Sequence, residues 1–185
     1  MNSNPQIIQQ TDCWLHNVVI KENLCPFAEA VVEQQQLHYA VSQATNNQNL
    51  HADIVAELHR LQTTAANIIA TTLLIIPCML NDFFEFNDQL NWIEQLLNEQ
   101  DLVGEIQIAT FHPHYHFSGT HSDDPSNYSN RSPYPMLHFI REAHLEEVLL
   151  HYPNPEIIPQ RNIKHLEKLG LKHVQNQLKH CLKTP

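Results

Sequence analysis

The sequence predicts an α/β or α+β fold, a single compact domain in which a sheet of about three strands packs with five to six helices. Apolar residues at helical spacing alternate along the chain with short apolar runs that suit strands. The length of 185 residues fits one ordinary domain over 1–185, and no repeat, low-complexity tract or clear linker divides it. The pattern leaves parallel and mixed strand orders open.

The N-terminal half alternates helices with strand candidates. Pro26 is favoured at the first position of a helix. The run TTLLII before Pro77 has β-branched residues at both ends, which suits a strand covered on both faces. The predicted elements are a helix over about 5–21 that Asn23 can end, a helix over about 26–35, a weak strand over 37–41, a helix over about 52–67 and a strand over 71–76.

The C-terminal half continues this alternation. Ile106 and Ile108 are separated by a polar residue, as in a strand, whereas Arg141 and Glu142 are interpreted as exposed charges on a helix. Gly170 is expected to weaken the last helix by about 1 kcal/mol relative to alanine. The predicted elements are a helix over about 87–100, a strand over 106–110, a helix over about 133–151 and a last helix over about 161–182 that packs on the core.

Charge and cysteine content exclude several classes of function. A formal net charge of −10 argues against nucleic acid or an anionic membrane as partner, because both attract clustered Lys and Arg. The four cysteines show no CxxC spacing, which excludes the common zinc-finger and thioredoxin patterns and indicates reduced thiols in a cytoplasmic protein. The first residues lack a signal-peptide pattern, and no apolar run approaches the ~20 residues of a membrane span. The three glycines form no Rossmann or P-loop pattern, so no cofactor is predicted.

Residues 111–142, FHPHYHFSGTHSDDPSNYSNRSPYPMLHFIRE, are the most informative segment. They place many groups that ligate, hydrogen-bond or transfer protons between a predicted strand and a predicted helix, where functional loops commonly lie. The candidate metal ligands are His112, His114, His116, His121 and Asp123. Pro113 interrupts strand pairing, and the chain has 14 histidines, so ordinary hydrogen-bonded histidines are the alternative. No metal is therefore assigned.

Cys25 is a candidate nucleophile. If Pro26 begins a helix, Cys25 is its N-cap, where the free amides and the helix dipole lower the pKa of a thiol. His112 would then serve as the nearby base. The alternative is a buried apolar cysteine in a turn between helices, with Asn23 capping the preceding helix.

The segment around Asn130 and Arg131 predicts an anion pocket. Asn130 or Ser132 can cap the helix that Pro133 begins. Free amides, the positive end of the helix dipole and Arg131 would together bind a carboxylate or phosphate. Capping alone, with Arg131 pairing an aspartate of the loop, explains the same residues.

At these positions the chain resembles an uncharacterised bacterial family, domain of unknown function 1415. The segments that carry the resemblance are NLCPFA at 23–28, FHPHYHFSGT at 111–120 and NRSPYPMLHFIRE at 130–142. The resemblance covers nearly the whole chain and implies no activity. It marks Asn23, Cys25, Pro26, His112, Pro113, Tyr115, Phe117, Gly119, Asp124, Asn127, Asn130, Arg131, Ser132, Pro133, Tyr134 and Pro135. The histidines at 114 and 116 depart from the family pattern, which favours His112.

Two main hypotheses of function follow. In the first, the protein is a small hydrolase or group transferase acting on an anionic small molecule, with His112 as acid or base and Cys25 as nucleophile or second acid. In the second, it is a non-catalytic module that binds a small ligand or a protein through the same pocket. A His-rich metal-binding protein is a further alternative. The predicted ligand-binding residues are Asn23, Tyr115, Asn127, Asn130, Arg131, Ser132 and Tyr134.

Overall fold

A computed structural model of the chain describes residues 2–150 and 152–184, and the fold is α/β. The strands are β1 (Leu37–Val41), β2 (Thr71–Ile75), β3 (Ile106–Phe111) and β4 (Met136–Arg141). The α-helices are α1 (Asn4–Trp14), α2 (Ala28–Glu33), α3 (Asn47–Thr63), α4 (Phe83–Asp88), α5 (Leu90–Glu99), α6 (Glu142–Leu150), α7 (Ile158–Leu169) and α8 (Leu171–Leu182). A π-helical segment, Leu15–Ile20, continues α1, and two short 3₁₀ helices lie at Pro125–Ser129 and Pro155–Ile157.

The sheet is mixed and has four strands in the order β1-β2-β4-β3, one more than the sequence predicted. β1 and β2 are parallel and joined through α3, whereas β4 pairs antiparallel with both β2 and β3. The helix predicted from Pro133 is wrong in its first half, because Met136–Arg141 is the missed strand. The run MLHFI is apolar throughout, and periodicity does not separate a buried strand from a buried helix in so short a run.

Alternate residues of the strands enter two separate hydrophobic cores. Leu74 and Phe139 lie on one face of the sheet, where they pack with α3, α4 and α5. Ile75 and Met136 lie on the other face and pack with α1, its π-helical continuation, α7 and α8. β2 is buried along its whole length, which confirms the prediction of a strand covered on both faces. The sheet is thus the middle layer between two layers of helices.

The described residues form eight α-helices, more than the five to six predicted, because α4 was not predicted and the last predicted helix is divided in two. α4 precedes α5, and its first turn is capped by the Asp82 side chain, which accepts hydrogen bonds from the amides of Phe84 and Glu85. The last predicted helix breaks at Gly170, which has φ 78° and ψ 154° and separates α7 from α8. None of the helices in the described ranges is long and apolar enough to cross a membrane.

Candidate functional site

His112, the predicted acid or base, is fully buried just after β3, and both of its ring nitrogens are occupied. Nδ1 accepts a hydrogen bond of 3.0 Å from the backbone amide of His114. Nε2 therefore carries the ring hydrogen and donates it to the carbonyl oxygen of Leu80 at 3.0 Å. The ring packs against Phe83 and Phe86 of α4, and burial lowers the pKa of His112. A neutral ring bonded at both nitrogens is arranged to hold this turn of the chain.

Cys25, the predicted nucleophile, lies on the opposite face of the sheet from His112. It packs against the core that α1, α7 and α8 form, whereas His112 stacks on Phe86 in the other core. The predicted position of Cys25 as a helix N-cap is wrong, because α2 begins at Ala28 with Phe27 at its N-cap. Burial raises the pKa of the Cys25 thiol, and the backbone amides of Phe27 and Ala28 oppose this more weakly. The structure does not bring the two predicted catalytic residues into one cleft.

The segment after Asn130 lacks the helix on which the predicted anion pocket depended. Pro133 and Tyr134 form a bend that leads into β4, so the predicted helix start there is wrong. The Ser132 hydroxyl donates a hydrogen bond of 2.6 Å to the carbonyl oxygen of Tyr134, and the Asn130 side-chain amide donates one of 3.1 Å to the carbonyl oxygen of Thr110. These bonds guide the chain from β3 into β4, and no helix amides are left free here to hold an anion.

Arg131 ties the loop between β3 and β4 together from within. Its Nε donates a hydrogen bond of 3.0 Å to the carbonyl oxygen of Tyr115, and its Nη2 donates one of 2.6 Å to that of Ser122. The guanidinium carbon also lies 4.6 Å from the centre of the Tyr128 ring, a cation–π contact. Arg131 therefore donates two hydrogen bonds to backbone carbonyls of the loop itself.

Asn127 lies at the centre of the same loop and is fully buried. Its Oδ1 accepts hydrogen bonds from the amide of Phe117 at 3.0 Å and from the hydroxyl of Thr120 at 2.9 Å. Its Nδ2 donates one of 2.8 Å to the carbonyl oxygen of His121. The carboxamide supplies hydrogen-bond partners to backbone groups of this irregular, partly buried loop.

The remaining predicted residues lie in two places. Tyr115 packs its ring 5.0 Å from that of Phe83, and the Tyr134 hydroxyl donates a hydrogen bond to Gln10 of α1. Asn23 is remote from that loop, where it follows the π-helical segment with φ 52°, the left-handed conformation that Asn adopts more readily than most residues. Several predicted residues thus do meet in one loop, but their polar groups mostly bond within the protein.

The alternating histidines of this loop do not converge on one point. His116 Nε2 bonds with the carbonyl oxygen of Thr120 at 3.0 Å, while both nitrogens of His112 are occupied as above. Within residues 2–150 and 152–184, no group of three or more His, Cys, Asp or Glu side chains is placed to hold a metal ion.

A hydrophobic cavity of about 240 Å³ lies on the face of the sheet that carries α1 and α2. All four strands contribute to its floor, through Leu37, Thr71, Leu73, Ala109, His138 and Ile140. The walls come from α1, its π-helical continuation, the turn before α2, α2 itself and α6, through Trp14, Val19, Cys25, Val31, Leu145 and Val148. Most of these side chains are aliphatic or aromatic, so the cavity suits an apolar molecule.

The π-helical segment forms one side of this cavity. The amide of Lys21 donates to the carbonyl oxygen of His16 at 3.1 Å, and that of Leu24 to Val19 at 2.8 Å, the five-residue spacing of a π-helix. Leu15 and Val19 line the cavity from this segment. Single π-helical turns within α-helices occur frequently at functional sites, which makes the cavity a better candidate than the polar loop.

His138 is the most distinctive polar residue of the cavity floor. Its Nε2 lies 2.6 Å from the hydroxyl of Thr71, and burial lowers the pKa of His138 to about 4. The sequence prediction treated His138 as an ordinary residue of a helix, and it missed the cavity altogether. The available signal was a single histidine inside the otherwise apolar run MLHFI.

α6, like α2, is a wall of the cavity without a fully buried side chain. None of its described side chains is fully buried, and Leu145 and Val148 remain half-buried where they face the cavity. A molecule in the cavity would cover these two side chains further.

Comparison with known proteins identifies the family. Searches of curated proteins and of solved structures find no match. A family model described as "Protein of unknown function (DUF1415)" matches residues 6–176, a range that includes both the polar loop and every strand of the cavity floor. The chain therefore belongs to the DUF1415 family, which confirms the resemblance carried by NLCPFA, FHPHYHFSGT and NRSPYP.

Proposed function

We propose that this protein binds a small, mainly apolar molecule in the cavity between the sheet and the helices α1, α2 and α6. The observation that carries the proposal is the size and lining of that cavity, about 240 Å³ of space bounded chiefly by hydrocarbon side chains. An engineered apolar cavity of about 150 Å³ is known to bind benzene. The larger cavity would take an aromatic ring with a short substituent.

The incomplete burial of the cavity wall supports the same conclusion. Leu145 and Val148 line the cavity from α6 but stay half-buried. Removing apolar surface from water stabilises a protein or complex by about 25 cal/mol per Å². A bound molecule would complete the burial of Leu145 and Val148 on α6.

Catalysis on an anion, the function expected from the sequence, has less support. It required His112 beside Cys25, whereas the two pack against cores on opposite faces of the sheet. It also required helix amides after Ser132, where the chain instead approaches β4. The second hypothesis, binding of a small ligand without chemistry, is retained, but its site moves from the polar loop to the cavity.

The test is toluene binding by a matched pair of variants. Ala109 on β3 lines the cavity, and Ala40 on β1 lines a smaller space on the other face of the sheet. Both strands are sheet edges, so Ala109→Leu and Ala40→Leu make the same chemical change, and only the first fills the cavity. Toluene should raise the melting temperature of the wild type and of Ala40→Leu, and should show saturation-transfer NMR signals with both. With Ala109→Leu, toluene should leave the melting temperature unchanged and should show no saturation transfer.

Two results would contradict the proposal. One is a wild type that gives no melting-temperature shift and no saturation transfer with toluene. The other is an Ala109→Leu variant that folds and still binds toluene as the wild type does, since the molecule would then occupy another place.

A further inference from the structure

The hydrogen bonds around Thr71 determine which nitrogen of His138 carries the ring hydrogen. The Thr71 hydroxyl lies 2.7 Å from the carbonyl oxygen of Phe139 and 2.6 Å from His138 Nε2. A carbonyl oxygen can only accept, so the single hydroxyl hydrogen of Thr71 goes to Phe139. Thr71 must then accept at its second contact, and His138 Nε2 carries the hydrogen that it donates to Thr71.

The other nitrogen, His138 Nδ1, is consequently an acceptor with a free lone pair. Among residues 2–150 and 152–184, the only hydrogen-bond partner of the His138 ring is Thr71. Nδ1 is also not among the fully enclosed polar atoms that lack a partner, so it retains accessible surface. His138 lies on the cavity floor, so this small surface is where a ligand in the cavity could reach the ring.

The surroundings keep this acceptor neutral and nearly alone. Burial lowers the pKa of His138 to about 4, so the ring is uncharged at neutral pH. The nearby lining is mostly apolar. Besides Thr71, the other lining side chains that carry polar atoms are Cys25, His144 and Trp14, whose indole nitrogen donates to the carbonyl oxygen of Arg131. A ligand without a donor would cut Nδ1 off from water and leave it unpaired, which weakens binding. A carboxylate oxygen is itself an acceptor, so it would face the lone pair of His138 Nδ1 without a hydrogen between them.

We propose that the cavity selects neutral ligands that carry a hydrogen-bond donor on a small aromatic or aliphatic body, of the phenol class, and that the donor binds His138 Nδ1. This inference rests on the proposed binding function and adds the chemical class of the ligand. It also replaces the anionic ligand expected from the sequence with an uncharged one.

The experiment compares phenol with toluene, which have nearly the same shape and differ in the donor. Dissociation constants are measured by titration NMR at pH 7 for the wild type, Thr71→Ser and Thr71→Val. Phenol should bind the wild type about three- to tenfold more tightly than toluene. Thr71→Ser keeps the hydroxyl and should keep the preference, whereas Thr71→Val removes the group that sets the tautomer and should reduce it to less than twofold.

The outcomes distinguish a failure of this inference from a failure of the proposed binding function. Equal binding of phenol and toluene by the wild type would overturn the donor inference and leave the apolar cavity intact as a binding site. Binding of neither would overturn both. If Thr71→Val does not fold, long-range ¹H–¹⁵N spectra of wild-type His138 decide the matter. An unprotonated Nδ1 whose resonance moves on adding phenol is expected, and a protonated Nδ1 would refute the inference.

Discussion

The Nη2 of Arg141, at the end of β4, donates a hydrogen bond of 2.5 Å to the carbonyl oxygen of Thr64, the residue that ends α3. The same nitrogen bonds the carbonyl oxygen of Leu61, and Nε bonds that of Ile69 at 3.1 Å. The last carbonyls of a helix lack partners within it and carry partial negative charge. Arg141, interpreted from the sequence as an exposed helical charge, therefore joins a strand to the end of a helix.

Arg141→Ala should lower the free energy of unfolding by about 2–4 kcal/mol, because it leaves partly buried carbonyl groups without a charged donor. Arg141→Lys should lower the free energy of unfolding by less than Arg141→Ala does, because it keeps the charge. It should still be less stable than the wild type, since an ammonium cannot match the fork of a guanidinium. Urea denaturation measures both changes. The control is Arg60→Ala, which removes the ion pair of the exposed Arg60 with Glu57 and should cost less than about 1 kcal/mol, because Glu57 keeps His38 as a partner. Equal effects of the Arg141 and Arg60 substitutions would argue against this role.

Gly170→Ala should destabilise the protein by about 1–3 kcal/mol. The sequence led us to expect that glycine weakens a continuous helix here, so that alanine would help. The structure predicts the opposite change in stability, because φ 78° and ψ 154° form a conformation that is essentially restricted to glycine. A Cβ would meet no atom within 4 Å, so the cost is one of backbone strain alone. Thermal unfolding compared with Lys172→Ala, an exposed change in α8, tests this, and a stabilised Gly170→Ala would refute it.

Acid should destabilise the protein through His138. Burial lowers its pKa from about 6.5 to about 4, so the folded state binds fewer protons than the unfolded state between these values. The stabilisation is complete above pH 6.5 and is lost as the pH falls. The loss amounts to about 2 kcal/mol between pH 7 and pH 5. His112, whose pKa burial also lowers, acts in the same direction.

The variant His138→Gln isolates this contribution, since glutamine can still donate to Thr71 but does not titrate in this range. Urea denaturation at pH 7 and pH 5 should show a smaller loss of stability in His138→Gln than in the wild type. An identical pH dependence of both proteins would mean that His138 titrates normally in the folded state.

Cys25 should react slowly with iodoacetamide at pH 7, because burial raises the pKa of its thiol and only the thiolate reacts. Phenol or toluene in the cavity should slow the reaction further, since Cys25 lines the cavity wall. Peptide mass spectrometry follows the rate, with the half-buried Cys78 as an internal reference that the ligand should not affect. A low apparent pKa of Cys25 that rises in His112→Gln would instead restore the catalytic pair expected from the sequence.

The elements predicted from the sequence are those whose patterns are local. The strand at 71–76, the strand at 106–110 and the first helix have clear periodicity and defined ends, and the structure confirms them. β4 was missed because its apolar run passes directly into α6, so a single continuous helix accounted for the pattern of both elements. Only its pairing with β2 and β3, two segments far away in the chain, makes it a strand.

The candidate site was harder to predict for a related reason. Polar residues crowd the loop between β3 and β4, but Asn127 and Arg131 bond there to backbone groups of an irregular, partly buried segment. The cavity is built from apolar side chains on many separate elements, and such residues look like any core in a sequence. Its one distinctive residue, His138, is recognised as part of a site only through its hydrogen bond with Thr71, which lies 67 residues earlier in the chain.

The central position of β4 also has a consequence for the order in which the chain can fold. β1, α3 and β2 can associate as soon as they are synthesised, but β3 has no neighbour in the sheet until β4 is inserted between it and β2. Until residues 136–141 have left the ribosome, the edge of β2 and the edge of β3 that β4 later covers stay open to pairing with other chains. We therefore expect nascent chains that end before Met136 to depend on chaperones and to self-associate, whereas chains that extend past Arg141 close the sheet and the cavity floor in a single step.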